Sequence, residues 1–85
     1  RSTAPQNNAQ TINAPMVGTF YRSPSPDSAP FIEVGQSIKA GDVICIIEAM
    51  KMMNQIEADR SGVSQAVDGN DAEPIEFDQV LFTIV

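Results

Sequence analysis

The sequence predicts an all-β fold, a sandwich or closed barrel of short strands. Three features point there. Apolar runs rich in Val, Ile, Phe and Thr cover roughly 15–21, 43–49, 52–59, 62–68 and 80–85, with shorter pieces near 37–39 and 74–76. All are too brief for helices, and Gly, Pro and Asp punctuate them. The chain also repeats itself: moved by 37 positions, "SIKAGDVICII" (37–47) lies over "PIEFDQVLFTI" (74–84). Ile38 meets Ile75, Val43 meets Val80, Ile44 meets Leu81 and Ile47 meets Ile84. Matching apolar positions with unmatched polar ones are expected of two half-domains that share a core across a pseudo-twofold axis.

Taken in order, residues 1–12 ("RSTAPQNNAQTI") are polar and lack a lasting hydrophobic period, which predicts a flexible linker ahead of a domain at 13–85. Gly18 in "MVGTF" matches Gly62 in "RSGVS" at a separation of 44. The later separation is 37, so the first half carries seven extra residues (44 − 37 = 7). They fall at "SPSPDSAP", residues 23–30, whose three prolines cannot form a ladder strand. A stiff projecting loop is expected there, and long loops on compact folds are more often functional than decorative. Gly35 falls opposite Ala72 in the repeat. If Gly35 needs a positive φ, the second turn should be built differently, through Gly69 or Asn70.

Composition narrows the function. At 85 residues and 42% hydrophobic, the chain suits one small domain that buries about 60–65% of its unfolded surface. Eleven acidic against five basic residues give a net charge of −6, which argues against nucleic acid as a partner. No run of about 18 apolar residues suggests a membrane span. The sequence begins at Arg1, and a longer parent chain is expected. Cys45 is single and lies inside "VICII", where a thiol acts as a small hydrophobe. With no histidine there is no Ser–His or Cys–His pair and no imidazole for a metal. Calcium loops and Gly-rich phosphate loops are missing too. No catalytic residue and no metal site are expected.

One stretch resists a purely structural explanation. In "EAMKMMNQIEAD" (48–59), Met50-Lys51 forms the natural centre of a two-residue hairpin turn between two strands. Favoured hairpin turns need positive φ at their centre, which ordinarily selects Asn-Gly or Gly-containing pairs. Side chains with a Cβ cost about 1 kcal/mol or more there. A sequence that keeps Met and Lys at such a place keeps them for another reason. An exposed lysine amine is protonated at neutral pH and is a poor nucleophile by itself. It is nonetheless accessible to an enzyme that deprotonates and acylates it, and flanking methionines give that enzyme an adaptable surface to grip. Lone hairpin lysines usually serve as solubilising charges, and methionines as core filler.

Here the residues resemble a known family. Glu48-Ala49-Met50-Lys51-Met52 is similar to the attachment signature of biotinyl domains, in which the lysine carries biotin in amide linkage. More narrowly, "PMVGTFYRSPSPDSAPFIEVGQ" (15–36) with "GDVICIIEAMKMMNQIEAD" (41–59) resembles the biotin carboxyl carrier family of acetyl-CoA carboxylase, and the likeness extends over about 14–85. The resemblance implies a flattened barrel or sandwich of two four-stranded antiparallel sheets with pseudo-twofold symmetry. It implies biotin on Lys51, with Glu48, Ala49, Met50 and Met52 read by biotin protein ligase and the partner enzymes. Ser23, Pro24, Ser25, Pro26, Asp27, Ser28, Ala29 and Pro30 match the protruding "thumb" of that family. It further implies a non-catalytic carrier. Biotin carboxylase, using ATP and bicarbonate, loads a carboxyl group, and carboxyltransferase delivers it to acetyl-CoA to make malonyl-CoA for fatty-acid synthesis. The implied compartment is the bacterial cytoplasm, with the plastid stroma as the alternative. Ser64 and Ala72 depart from the family's usual apolar residue and glycine.

Three other readings compete. Lipoyl-type acyl carriers share the hairpin lysine, but typically show Asp-Lys-Ala at the tip and lack the thumb. A Schiff-base enzyme would need a desolvated lysine in a carbonyl-binding pocket. An unmodified interaction module would use the methionines as a binding patch.

Overall fold

Eight strands run in chain order as β1 (Gln10–Asn13), β2 (Gly18–Tyr21), β3 (Ser37–Ile38), β4 (Val43–Ala49), β5 (Met52–Glu57), β6 (Gly62–Val67), β7 (Glu73–Ile75) and β8 (Val80–Ile84). These come from a computed structural model that describes residues 9–85; residues 1–8 of the expected linker lie outside the described residues. Strands β2 to β8 each fall on a predicted apolar run. β1 does not: it takes Gln10, Thr11 and Ile12 from the segment expected to be linker. The reason is its thin apolar content. Ile12 is buried while Gln10 and Thr11 are exposed, so antiparallel pairing with β8, Ile12 opposite Phe82, makes the strand.

The strands form two antiparallel four-stranded sheets, ordered β1-β8-β6-β3 and β5-β4-β2-β7, packed as a flattened sandwich. Exchanging the halves maps one order onto the other, and the symmetry reaches single hydrogen bonds. Gly35 N–H donates to Ser64 O at 2.7 Å, and Ala72 N–H to Phe20 O at 2.7 Å. Gly41 N–H donates to Ala58 O at 2.9 Å, and Asp78 N–H to Ala14 O at 2.8 Å. A repeat visible as matched apolar letters is thus a repeat of backbone geometry.

That geometry corrects the expected second turn. Gly35 and Gly41 have φ of 92° and 97°, and their counterparts Ala72 and Asp78 have 63° and 70°. Ala72 itself therefore enters the left-handed region, and neither Gly69 nor Asn70 replaces it. Gly69 serves a different end: a Cβ there would meet the Phe20 ring at 2.9–3.1 Å. At Gly18 a Cβ would stand 2.5 Å from Glu48 O, so glycine lets β2 approach β4 just below the Met50-Lys51 turn.

Between the sheets lie Ile12, Phe20, Ile38, Ile44, Cys45, Ile47, Ile56, Ile75, Leu81, Phe82 and Ile84. Phe20 and Phe82 meet edge to face with centroids 6.1 Å apart. Their symmetry counterparts are Ser64 and Cys45, so a large pair bridging the two halves is answered by a small pair that bridges them in the reverse sense. Ser64 is 1% exposed, the one fully buried polar residue among the described residues, and its Oγ, like Asn13 Oδ1 and Arg22 Nε, has no partner. Pro74, which cannot donate to a ladder, sits in β7 at the edge of its sheet.

Candidate functional site

β4 and β5 form the longest hairpin, with Ala49 opposite Met52 and Met50-Lys51 as its two-residue turn. Both central φ values are positive, 53° and 65°, as type I′ geometry requires. Neither residue is glycine, so each costs about 1–2 kcal/mol that the ladder below must offset. The ladder is well braced: Ile47 is fully buried, and Asn54 Nδ2 donates to Ile47 O at 3.2 Å and to Met52 O at 3.4 Å.

At the apex Met50 is 92% exposed and Lys51 is exposed, and no hydrogen bond or ion pair holds the Lys51 amine among the described residues. Met52 is exposed, and Glu48 and Ala49 are half-buried at the end of β4. The residues singled out around Lys51 are thus contiguous on one turn. Lys51 is exposed and lines neither of the two clefts found among the described residues, whereas a Schiff-base lysine needs a desolvating pocket. Cys45 offers no chemistry either, since burial pushes its thiol up to about 12 and keeps it protonated at neutral pH.

The Pro-rich loop projects from the end of β2. Pro24 to Ala29 are exposed, and Ser23 and Pro30 are half-buried. Its base is closed by Phe31 N–H donating to Arg22 O at 2.8 Å. Inside it, Ser23 Oγ donates to Ser25 O at 2.9 Å, and the Ser25 and Ser28 hydroxyls lie 2.8 Å apart. Ser23, Pro24, Ser25 and Pro26 face Tyr21, Met53, Asp71 and Ala72 across a cleft of about 440 Å³. Asp27, Ser28, Ala29 and Pro30 are not among its lining residues.

The cleft lies on the outer face of the β5-β4-β2-β7 sheet. Strand pairing sets Tyr21 opposite Ile46 and Glu48 opposite Met53 on that face, and Tyr21 Oη lies 3.5 Å from Glu48 Oε1. Ile46 is only 5% exposed although it lies outside the main core cluster. None of Tyr21, Met53, Asn54 and Asp71 is among the site residues expected from the sequence. For Met53 the signal was available: period-2 alternation along β5 places it beside Glu48 on the outer face, while Met52 and Asn54 face inward.

The exposed Lys51 amine thus stands on a strained turn two residues before Met53, which lines the largely apolar cleft. The Biotin_lipoyl family, described as biotin-requiring enzyme, matches residues 10–84. This chain belongs to that family. Among relatives of this biotin/lipoyl domain, the biotin carboxyl carrier protein of acetyl-CoA carboxylase from Pseudomonas aeruginosa is 58% identical over 82 residues, 96% of this chain and 53% of that protein. The chloroplastic biotin carboxyl carrier protein of acetyl-CoA carboxylase 1 from Arabidopsis thaliana is 47% identical over 74 residues, 87% of this chain and 26% of that protein. The chain therefore spans about half the length of the bacterial relative and about a quarter of the plant one. Among solved structures, Kluyveromyces lactis urea carboxylase matches with a TM-score of 0.72 at 27% identity, over 100% of this chain and 7% of that one.

Proposed function

We propose that this biotin/lipoyl domain is the carrier domain of an acetyl-CoA carboxylase and that Lys51 holds biotin through an amide bond. The observation that carries the reading is the Lys51 amine, exposed and unpartnered on a turn whose two central residues both hold positive φ. The residues present fit the group. An amide needs a free amine reachable by a ligase, and the neighbouring cleft has apolar walls at Pro24, Pro26 and Met53 with serine hydroxyls between them. When attached, biotin supplies a ureido nitrogen that accepts a carboxyl group and gives it up again.

The chain's own residues present that group and do not transform it. The hairpin holds Lys51 clear of the core. Met50 and Met52 give an adaptable surface for biotin protein ligase, biotin carboxylase and carboxyltransferase to contact, with Glu48 and Ala49 framing it. Acylation removes the ammonium charge, so the tip becomes less polar before it enters a partner's active site. The thumb, residues 23–30, shelters the cleft beside the tip. Tethering one group to a carrier that visits two centres replaces diffusion by a high effective concentration at each. The domain is read as non-catalytic and as working in the bacterial cytoplasm.

The test is Lys51→Arg in the full-length protein, assayed for carboxyl transfer with both partner enzymes. The charge and turn are retained and the side chain packs against nothing, so unfolding free energy should stay within about 0.5 kcal/mol of the parent. Transfer should disappear. Substantial residual transfer would remove Lys51 from the role.

A further inference from the structure

We propose that Asp71 is the positioning residue that sets the lean of the thumb over the cleft. The inference rests on the reading of residues 23–30 as a working part of the carrier, but its geometry stands by itself. Hydrogen bonds of the thumb's own residues stay within the thumb: Ser23 Oγ to Ser25 O, the Ser25–Ser28 hydroxyl pair, and Ser28 N–H to Ser25 O at 3.1 Å. The thumb is therefore braced internally and takes its direction from its base. At that base Arg22 accepts the Phe31 N–H at its carbonyl, and Arg22 Nη2 donates to Ile32 O at 3.1 Å. Both contacts tie the two feet of the loop to each other. At the other foot Ile32 is buried in the core with Phe31 packed against it, and the hydrogen bond from the Arg22 foot to the body is Arg22 N–H donating to Asp71 Oδ1 at 2.8 Å. Asp71 belongs to the turn before β7 and also lines the cleft, so one carboxylate joins the foot of the thumb to the opposite wall.

The internal repeat supplies a control. Val34 occupies the place of Asp71 in the first half, and the bulge between Ser64 and Ala66 makes Ala66 the counterpart of Tyr21 and Val67 that of Arg22 in the second. Val67 is still paired in the β6–β8 ladder, opposite Phe82, whereas β2 ends at Tyr21 and leaves Arg22 outside its ladder, and the turn of the first half carries no carboxylate at Val34. The carboxylate is found where β2 ends and the thumb begins. The turn that carries it is docked on the same strand two residues earlier, through Ala72 N–H to Phe20 O. A short N–H to carboxylate bond at an exposed loop foot is charge-assisted and stronger than a neutral one.

Residue-resolved amide hydrogen exchange on the full-length protein, biotinylated and not, tests this with Asp71→Ala and Asp71→Asn. In the unbiotinylated form, Asp71→Ala should speed exchange at Arg22 about tenfold, the loss of one hydrogen bond to a charged group, and Asp71→Asn, which keeps the acceptor oxygen, should stay within about threefold of the parent. Faster exchange should spread to Ser28 and Phe31 and leave the 48–55 hairpin unchanged. In the biotinylated form, protection gained by the thumb in the parent should be lost in Asp71→Ala and kept in Asp71→Asn. Unchanged Arg22 exchange in Asp71→Ala, equal losses in both variants, or loosening that includes the hairpin would each overturn the proposal. The unbiotinylated comparison needs no cofactor. A Lys51 that stays bare would therefore refute the proposed function and leave the Asp71 test standing.

Discussion

At position 72 a methyl group occupies a backbone conformation that the first half of the repeat gives to glycine. Ala72 has φ of 63° where Gly35 has 92°, and Asp78 has 70° where Gly41 has 97°. The second half thus stores strain on both sides of β7 that the first half avoids. Ala72→Gly should raise the unfolding free energy by about 0.5–1 kcal/mol, the left-handed penalty less the added chain entropy of glycine. A Cβ at Gly35 has nothing within 4 Å, so Gly35→Ala should report the same backbone cost with opposite sign. Urea unfolding of both variants checks the pair. Lys51 and its turn were legible in the sequence because the strain lay between two clear strands. The strain at Ala72 was not: Gly69 and Asn70 looked like better turn residues, but the position is fixed by its hydrogen bond to Phe20 O and not by local preference.

Among the elements, legibility followed apolar content. β4 is buried at Ile44, Cys45, Ile46 and Ile47 and announces itself as a run. β1 has Ile12 alone in the core and exists because β8 offers it a ladder. The repeat held the missing clue, since the separation of 44 that aligns Gly18 with Gly62 also lays Ile12 over Ile56. The thumb was legible as an insertion with three prolines, but the cleft it forms with Tyr21 and Met53 depends on which face of the sheet it overhangs. Replacing residues 23–30 by a short glycine turn should preserve folding, because the loop is already closed at its base between Arg22 and Phe31. Melting should shift little, and one biotin-dependent step should slow. Equal activity with and without the thumb in steady-state carboxyl transfer would show the loop to be incidental.

At the scale of the molecule, two half-repeats exchange strands so that each sheet mirrors the other in order and in single hydrogen bonds. The symmetry is broken in two places that matter. One is the thumb with its Asp71 bracket. The other is the end of the β4–β5 hairpin, whose symmetry counterpart is the pair of β8 and β1 near Val85 and Ala9, where no turn joins the strands. A scaffold otherwise twofold therefore presents a single lysine at a single apex. Intact-mass and peptide mass measurement of the protein after exposure to biotin protein ligase, ATP and biotin tests this most directly. The account predicts one biotin-sized increment on the peptide containing Lys51, with Lys39 untouched. An unmodified chain, a lipoyl-sized increment from protein isolated from its host, or biotin at any other residue would contradict it.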